Sequence, residues 1–201
     1  MSTPLSHTAT TPRQSGWTTR ETVVVSVSSV VFGMLYLAWV QLWLIAQGLI
    51  GPLAMDIVFG FWFAGSVFNA YVIRKPFVAL STALIASLAE VLTGNPAGAI
   101  LLLTGLVQGA GSELPFLLTR WRRYSVPILA LSSVSAAIFS FAYNWVRFDY
   151  QTLEAGLLIA MFAIRITSGV LLGSLLPLLF ARRLRRTGVF AGLAVDDAAE
   201  A

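Results

Sequence analysis

The chain has 201 residues, 57% of them hydrophobic and only 11% charged, with a mean hydropathy of +0.81. Soluble domains carry about 25% charged residues, so this composition excludes a water-soluble globule and indicates an all-α integral membrane protein. Cysteine is absent and the one histidine is His7, which excludes disulfides and thiolate chemistry and argues against a metal site or imidazole catalysis.

Residues 1–16, rich in Ser, Thr and Pro, are expected to be a disordered tail. No short apolar run with a small-residue cleavage site precedes the first span, so a cleaved signal peptide is not expected. Thr18-Thr19-Arg20-Glu21 reads as a capping box with Trp17 just outside it. The first span follows over residues 22–46. After a Gly/Pro loop at 48–52, a second span runs to Ile73, where Arg74-Lys75-Pro76 stops it, because the residue before proline avoids the helical region. The third span, residues 77–93, is at the lower length limit for a crossing. Gly94-Asn95-Pro96 turns the chain into a fourth span, 98–118, closed by Arg120-Trp121-Arg122-Arg123. The fifth covers 125–145 and the sixth 154–180, separated by a polar loop at 147–151. A basic run, Arg182-Arg183-Leu184-Arg185-Arg186, ends the membrane domain. The expectation is a six-transmembrane-helix bundle over 17–186, with 187–201 as a second disordered tail.

Six spans place both termini on one side. Of the 13 Lys and Arg residues, 11 fall in tails and alternate loops, leaving Arg147 and Arg165 elsewhere. The positive-inside rule then puts both termini in the cytoplasm of a multi-pass cell-membrane protein. The same scattering of basic clusters between apolar spans gives no nucleic-acid signal.

Ionisable groups at membrane depth are costly and default to a functional hypothesis. The stretch 90–116 holds Glu90, Asn95, Gln108, Ser112 and Glu113. At about 100° per residue, Gly105, Gln108, Gly109, Ser112, Glu113 and Phe116 share an arc of roughly 140°. With the inferred topology, Asp56, Glu90, Asp149 and Glu154 lie near the outer surface, opposed by Arg147 alone. Trp39, Gln41, Trp43, Asn95, Tyr143, Asn144 and Trp145 are at similar depth. Such a set suits a small, flat, cationic or proton-accepting ligand, although tryptophan and tyrosine also gather at membrane interfaces without binding anything. Glu113 and Arg165 differ in height by only about 6 Å, so a buried pair between the fourth and sixth helices is expected, either fixing register or touching ligand. Asn69 and Gln108 are candidates for interhelical hydrogen bonds. On the first helix Thr22, Ser26, Ser29 and Gly33 form a small-residue stripe for internal packing or a partner subunit. Ser133, Ala136, Ser140 and Asn144 form another, assigned to internal packing.

Enzyme chemistry finds no support. Gly109-Ala110-Gly111-Ser112 lacks a transmembrane histidine to activate the serine, and no phosphate-binding G-x-x-x-x-G-K-[ST] loop exists. No catalytic residue, metal or cofactor is expected.

Four stretches, FGMLYLAWVQLW (32–43), GFWFAGSVFNAYVIRKP (60–76), EVLTGNPAG (90–98) and GLVQGAGSELPF (105–116), together resemble the substrate-binding S components of energy-coupling factor (ECF) transporters. The nearest type is YkoE, associated with hydroxymethylpyrimidine and thiamine. The likeness departs at Ala97, where an aromatic is expected. It implies an outward-facing vitamin site, a transmembrane coupling subunit and two cytoplasmic ATPases as partners. It also implies that the small residues Ser26, Ser29 and Gly33 dock the coupling subunit. On this reading Glu90 and Asn95 hydrogen-bond a pyrimidine, Trp43, Tyr143 and Trp145 stack on or enclose it, and Gln108 and Asn144 add hydrogen bonds. The segment 39–52 would close over the site. The competing expectation is an autonomous homodimeric secondary transporter of a small cationic solute, with Glu113 and Arg165 as its coupling pair.

Overall fold

Helix α1 (Thr19–Ile50) starts at the capping box: Thr18 Oγ1 accepts from the Glu21 amide at 3.2 Å, and Glu21 Oε2 accepts from the Thr18 amide at 2.7 Å. The structure, a computed structural model, describes residues 16–197; the expected disorder of residues 1–15 lies outside the described residues. Among the described residues all regular structure is helical. Five helical stretches are long and apolar enough to cross a bilayer: Thr19–Ile50, Leu53–Ile73, Ile100–Leu118, Val126–Arg147 and Ala155–Arg185. Helix α4 (Val78–Leu92), 15 residues long, is a shorter apolar helix between them.

Two of these stretches are interrupted where an unbroken helix is expected. The second consists of α2 (Leu53–Val58), a 3-10 turn (Phe59–Phe63) and α3 (Ala64–Ile73). The last consists of α7 (Ala155–Ser168), a π-helical stretch (Gly169–Leu175) and α8 (Leu176–Arg185). The irregular segments pack on each other. A Cβ on Gly60 would collide with the Ser168 carbonyl, and one on Gly173 would lie 2.9 Å from the Gly60 carbonyl. Backbone groups freed inside a membrane must find partners within the protein, and here side chains supply them. Ser168 Oγ donates to the Ile57 carbonyl (2.7 Å) and accepts from the Gly60 amide (2.9 Å), while Trp39 Nε1 donates to the Val58 carbonyl (2.9 Å). Trp39 is thus a partner for broken backbone.

Helix α3 ends at Ile73, where the sequence stops it, with Arg74 in the left-handed region (φ 53°). Helix α5 (Ile100–Leu118) buries Gly105, Gly109, Ser112, Glu113 and Phe116 of the predicted arc, leaves Gln108 half-buried, and exposes Leu102, Leu103, Leu106, Leu117 and Leu118. Helix α6 (Val126–Arg147) buries Ser133, Ala136, Ser140 and Asn144 against its neighbours. Asn69 is interhelical glue, accepting from Ser28 Oγ (2.8 Å) and donating to Thr82 Oγ1 (3.0 Å).

Two expectations are corrected here. Half of the α1 stripe faces inward: Ser29 is fully buried beside Asn69, and Gly33 meets the backbone of Ala86, where a Cβ would lie 2.6 Å from its carbonyl oxygen. Both residues are spent on packing α1 against α3 and α4, while Ser26 is partly exposed and Thr22 exposed. The segment after Arg186 is also no free tail as far as Asp197. Phe190, Leu193 and Val195 bury their side chains in the cluster that holds Phe68, Tyr71, Ile73 and Leu178, and a short helix, α9 (Ala194–Asp197), follows. Burial of these three apolar side chains anchors the segment.

Candidate functional site

At the end of the bundle where α1 and α4 finish, α5 begins and α6 closes, the helices enclose a cavity of about 330 Å³, within the range of small-molecule sites. Aromatic and apolar side chains dominate its wall, among them Tyr36, Val40, Trp43, Met55, Phe59 and Trp62.

Glu90, in the last turn of α4, is 4% exposed and lines the cavity. Asn95 holds it, donating from Nδ2 to Glu90 Oε2 at 2.7 Å. The turn builds this contact: the Asn95 amide donates to the Glu90 carbonyl (3.0 Å), and Asn95 Oδ1 accepts from the Ala97 amide (3.0 Å). Pro96 and two left-handed glycines, Gly94 (φ 88°) and Gly98 (φ 65°), bend the chain around it. Asn95 is therefore a positioning residue for Glu90, whose Oε1 has no hydrogen-bond partner among the described residues. Close approach of α5 brings the two walls together, since Gly105 lies on Ser87 where a Cβ would overlap the Ser87 hydroxyl.

Other polar atoms of the wall also lack partners. Trp43 Nε1 and Asn144 Nδ2 are buried without a hydrogen bond, and Gln108 makes no side-chain hydrogen bond among the described residues. Tyr36 Oη accepts from the Gly65 amide at 2.8 Å, leaving its own proton to donate. Buried polar groups are normally satisfied. A cavity edged by an unshared carboxylate oxygen and several unshared donors is chemically a receptor for a small solute with both kinds of group.

Comparison with known proteins agrees with this geometry. A family model described as the permease component of ABC-type cobalt transport systems matches residues 20–139. A putative HMP/thiamine permease protein, YkoE, from Bacillus subtilis (strain 168) is 41% identical over 179 residues, covering 89% of this chain and 90% of its own. A crystal structure of an S component of an ECF transporter superposes with a TM-score of 0.89 at 39% identity, covering 92% of this chain and 94% of the other. The chain belongs to this family: it is an S component of an ECF transporter.

Of the residues predicted for the site of this S component, the fold brings Trp43, Glu90, Asn95, Gln108 and Asn144 to the cavity wall. Tyr143 and Trp145 are not on it. They share α6 with Asn144 but point elsewhere; Trp145 is 39% exposed and leans on Phe141 and Tyr150. Adjacent positions on a helix differ by about 100°, so Asn144 cannot take both neighbours into the cavity with it. Tyr36, Phe59, Trp62 and Arg147, which do line it, were missed. The first three sit in continuously apolar runs, where an inward aromatic has the same signature as a lipid-facing one.

The expected Glu113–Arg165 pair does not form. Glu113 accepts from the Phe77 amide (2.8 Å), the Leu80 amide (3.1 Å) and Trp121 Nε1 (2.7 Å), so it caps the start of α4 from α5. Arg165 instead pairs with Asp56 at 2.5 Å, both side chains wholly buried. Its guanidinium lies over the rings of Phe59 (4.0 Å) and Phe141 (5.0 Å), and Nη2 donates to Tyr150 Oη (3.3 Å). Burial pushes the Tyr150 hydroxyl above its ordinary pKa, so it stays a neutral phenol. Asp56, on the short α2, faces inward, where the opposite charge of Arg165 compensates its burial.

Proposed function

We propose that this S component captures thiamine or its hydroxymethylpyrimidine precursor at a pocket open to the outside and delivers it for ATP-driven uptake by partner subunits. The observation that carries this is Glu90: a buried carboxylate held by Asn95 with one oxygen unshared, at the rim of an aromatic cavity. A 4-aminopyrimidine offers an amine and ring nitrogen to a carboxylate and a flat face to Trp43, Phe59 and Trp62. The name of the Bacillus subtilis relative, an HMP/thiamine permease, supports the same ligand class. On this reading the chain crosses the membrane six times with both termini cytoplasmic, α4 being the shortest crossing. A transmembrane coupling subunit and two cytoplasmic ATPases complete the transporter. With Ser29 and Gly33 committed to internal packing, the coupling subunit would meet α1 through Ser26 and the apolar residues around it. The secondary-transporter reading loses its coupling pair, because Glu113 and Arg165 each have other partners.

The test is thermal unfolding of the purified protein with pyrimidines, thiazoles and other vitamins. A ligand at 100 times its dissociation constant adds about 2.7 kcal/mol. Thiamine or hydroxymethylpyrimidine should stabilise the wild type, and Glu90→Gln should weaken binding by about 1–3 kcal/mol through loss of a charge-assisted hydrogen bond. Undiminished affinity in that variant removes Glu90 from the site.

A further inference from the structure

Arg147 and Arg165 are the two arginines outside the tails and alternate basic loops, and the fold treats them oppositely. Arg165 is neutralised by Asp56. Arg147, in the last turn of α6, lines the cavity and has no carboxylate within ion-pair distance; among the described residues the ion pairs are Lys75–Glu21 and Arg165–Asp56. Its side-chain hydrogen bond goes to a neutral group, Nη1 donating to Thr104 Oγ1 of α5 at 3.1 Å, and its guanidinium rests over Phe148 (5.0 Å) and Tyr143 (5.8 Å). The C-terminal end of the helix dipole favours such a cation, and the half-buried guanidinium keeps its charge at the cavity wall with no carboxylate beside it. One helical turn earlier, on the same face, is Asn144. It is 2% exposed, with Nδ2 lying beside the Tyr150 hydroxyl but making no hydrogen bond of good geometry.

The carboxylate and the guanidinium do not meet. Helix α5 stands between their helices, its Gly105 on Ser87 of α4 and its Thr104 on Arg147 of α6. The cavity therefore has two chemically opposite walls, an acceptor wall at Glu90 and a donor wall at Asn144 and Arg147. A ligand that satisfied Glu90 alone would leave the buried Asn144 amide unsatisfied and the half-buried Arg147 without an anionic partner.

We propose that Asn144 and Arg147 form a second subsite that takes the acceptor end of the ligand, and that its best occupant is a phosphate monoester of the amino-heterocycle. This rests on the proposed ligand class and extends it. A hydroxymethyl group would accept one hydrogen bond there. Its phosphate ester would accept several and neutralise Arg147, and guanidinium and phosphate match in charge and geometry. For thiamine the same wall disfavours the bare thiazolium cation, and a phosphate on its hydroxyethyl arm offsets that repulsion.

The test is calorimetric titration of the purified full chain with hydroxymethylpyrimidine, thiamine and the monophosphate of each, repeated in Arg147→Gln and Arg147→Lys. The wild type should bind each monophosphate at least tenfold more tightly than its alcohol. Arg147→Gln should abolish that preference and Arg147→Lys should keep part of it. A wild type that prefers the alcohols, or a preference that survives in Arg147→Gln, overturns the subsite while leaving the ligand class standing. Absence of binding by all four compounds overturns both.

Discussion

Three buried acids, Asp56, Glu90 and Glu113, are held by different kinds of partner, and the difference sets Glu90 apart as the candidate for binding. Glu113 accepts three protein donors and Asp56, though its Oδ2 is unshared, is neutralised by Arg165, whereas Glu90 has one neutral amide partner, an unshared oxygen and a place on the cavity wall. The Asp56–Arg165 pair is therefore architectural. Removing one member, as in Asp56→Asn or Arg165→Met, should cost about 3–5 kcal/mol because the other charge is stranded. The double variant Asp56→Leu/Arg165→Met should recover most of it, read by thermal unfolding in micelles. A double variant no more stable than the singles would mean that the pair holds the bundle by more than mutual compensation. The sequence made Glu90 and Asn95 legible, because a carboxylate and a turn asparagine stand out against an apolar background. It could not reveal which acid pairs with Arg165: Asp56 is 109 residues away, and similar height in the membrane says nothing about which helices are neighbours.

At the scale of elements, the small residues set how closely helices approach and thereby shape the cavity. Gly105 lets α5 lie on Ser87, one turn before Glu90. Gly105→Val should force α4 and α5 apart and weaken ligand binding at least tenfold. Gly48→Ala on α1, where a Cβ meets open space, should leave binding unaltered. Equal affinities in the two variants would show that α4–α5 spacing does not shape the site. Three helix termini were legible, through the capping box at Thr18, the stop at Arg74-Lys75-Pro76 and the turn at Asn95, whereas α1 runs on to Ile50 through the expected loop and the last helix to Arg185. The breaks at 59–63 and 169–175 were not. Their sequences are as apolar as an intact span, and what permits them is the distant contact between Gly60, Ser168 and Gly173. The inward turn of Ser29 and Gly33 was hidden for a similar reason: a small-residue stripe reads the same whether the approaching helix belongs to this chain or to a partner.

For the molecule as a whole, the membrane-embedded helical fold followed from composition and periodicity, and the family from four short stretches in order. The candidate site is a cavity at one end of the bundle, with an acid on one wall and a guanidinium on another. Its most direct test is the dissociation constant of hydroxymethylpyrimidine and of thiamine for the purified full chain, measured by titration calorimetry in the wild type and in Glu90→Gln. The account predicts saturable one-to-one binding of at least one of them, weakened roughly five- to 150-fold in the variant, corresponding to about 1–3 kcal/mol. Absence of binding by both compounds, or equal affinity in the two proteins, would contradict it.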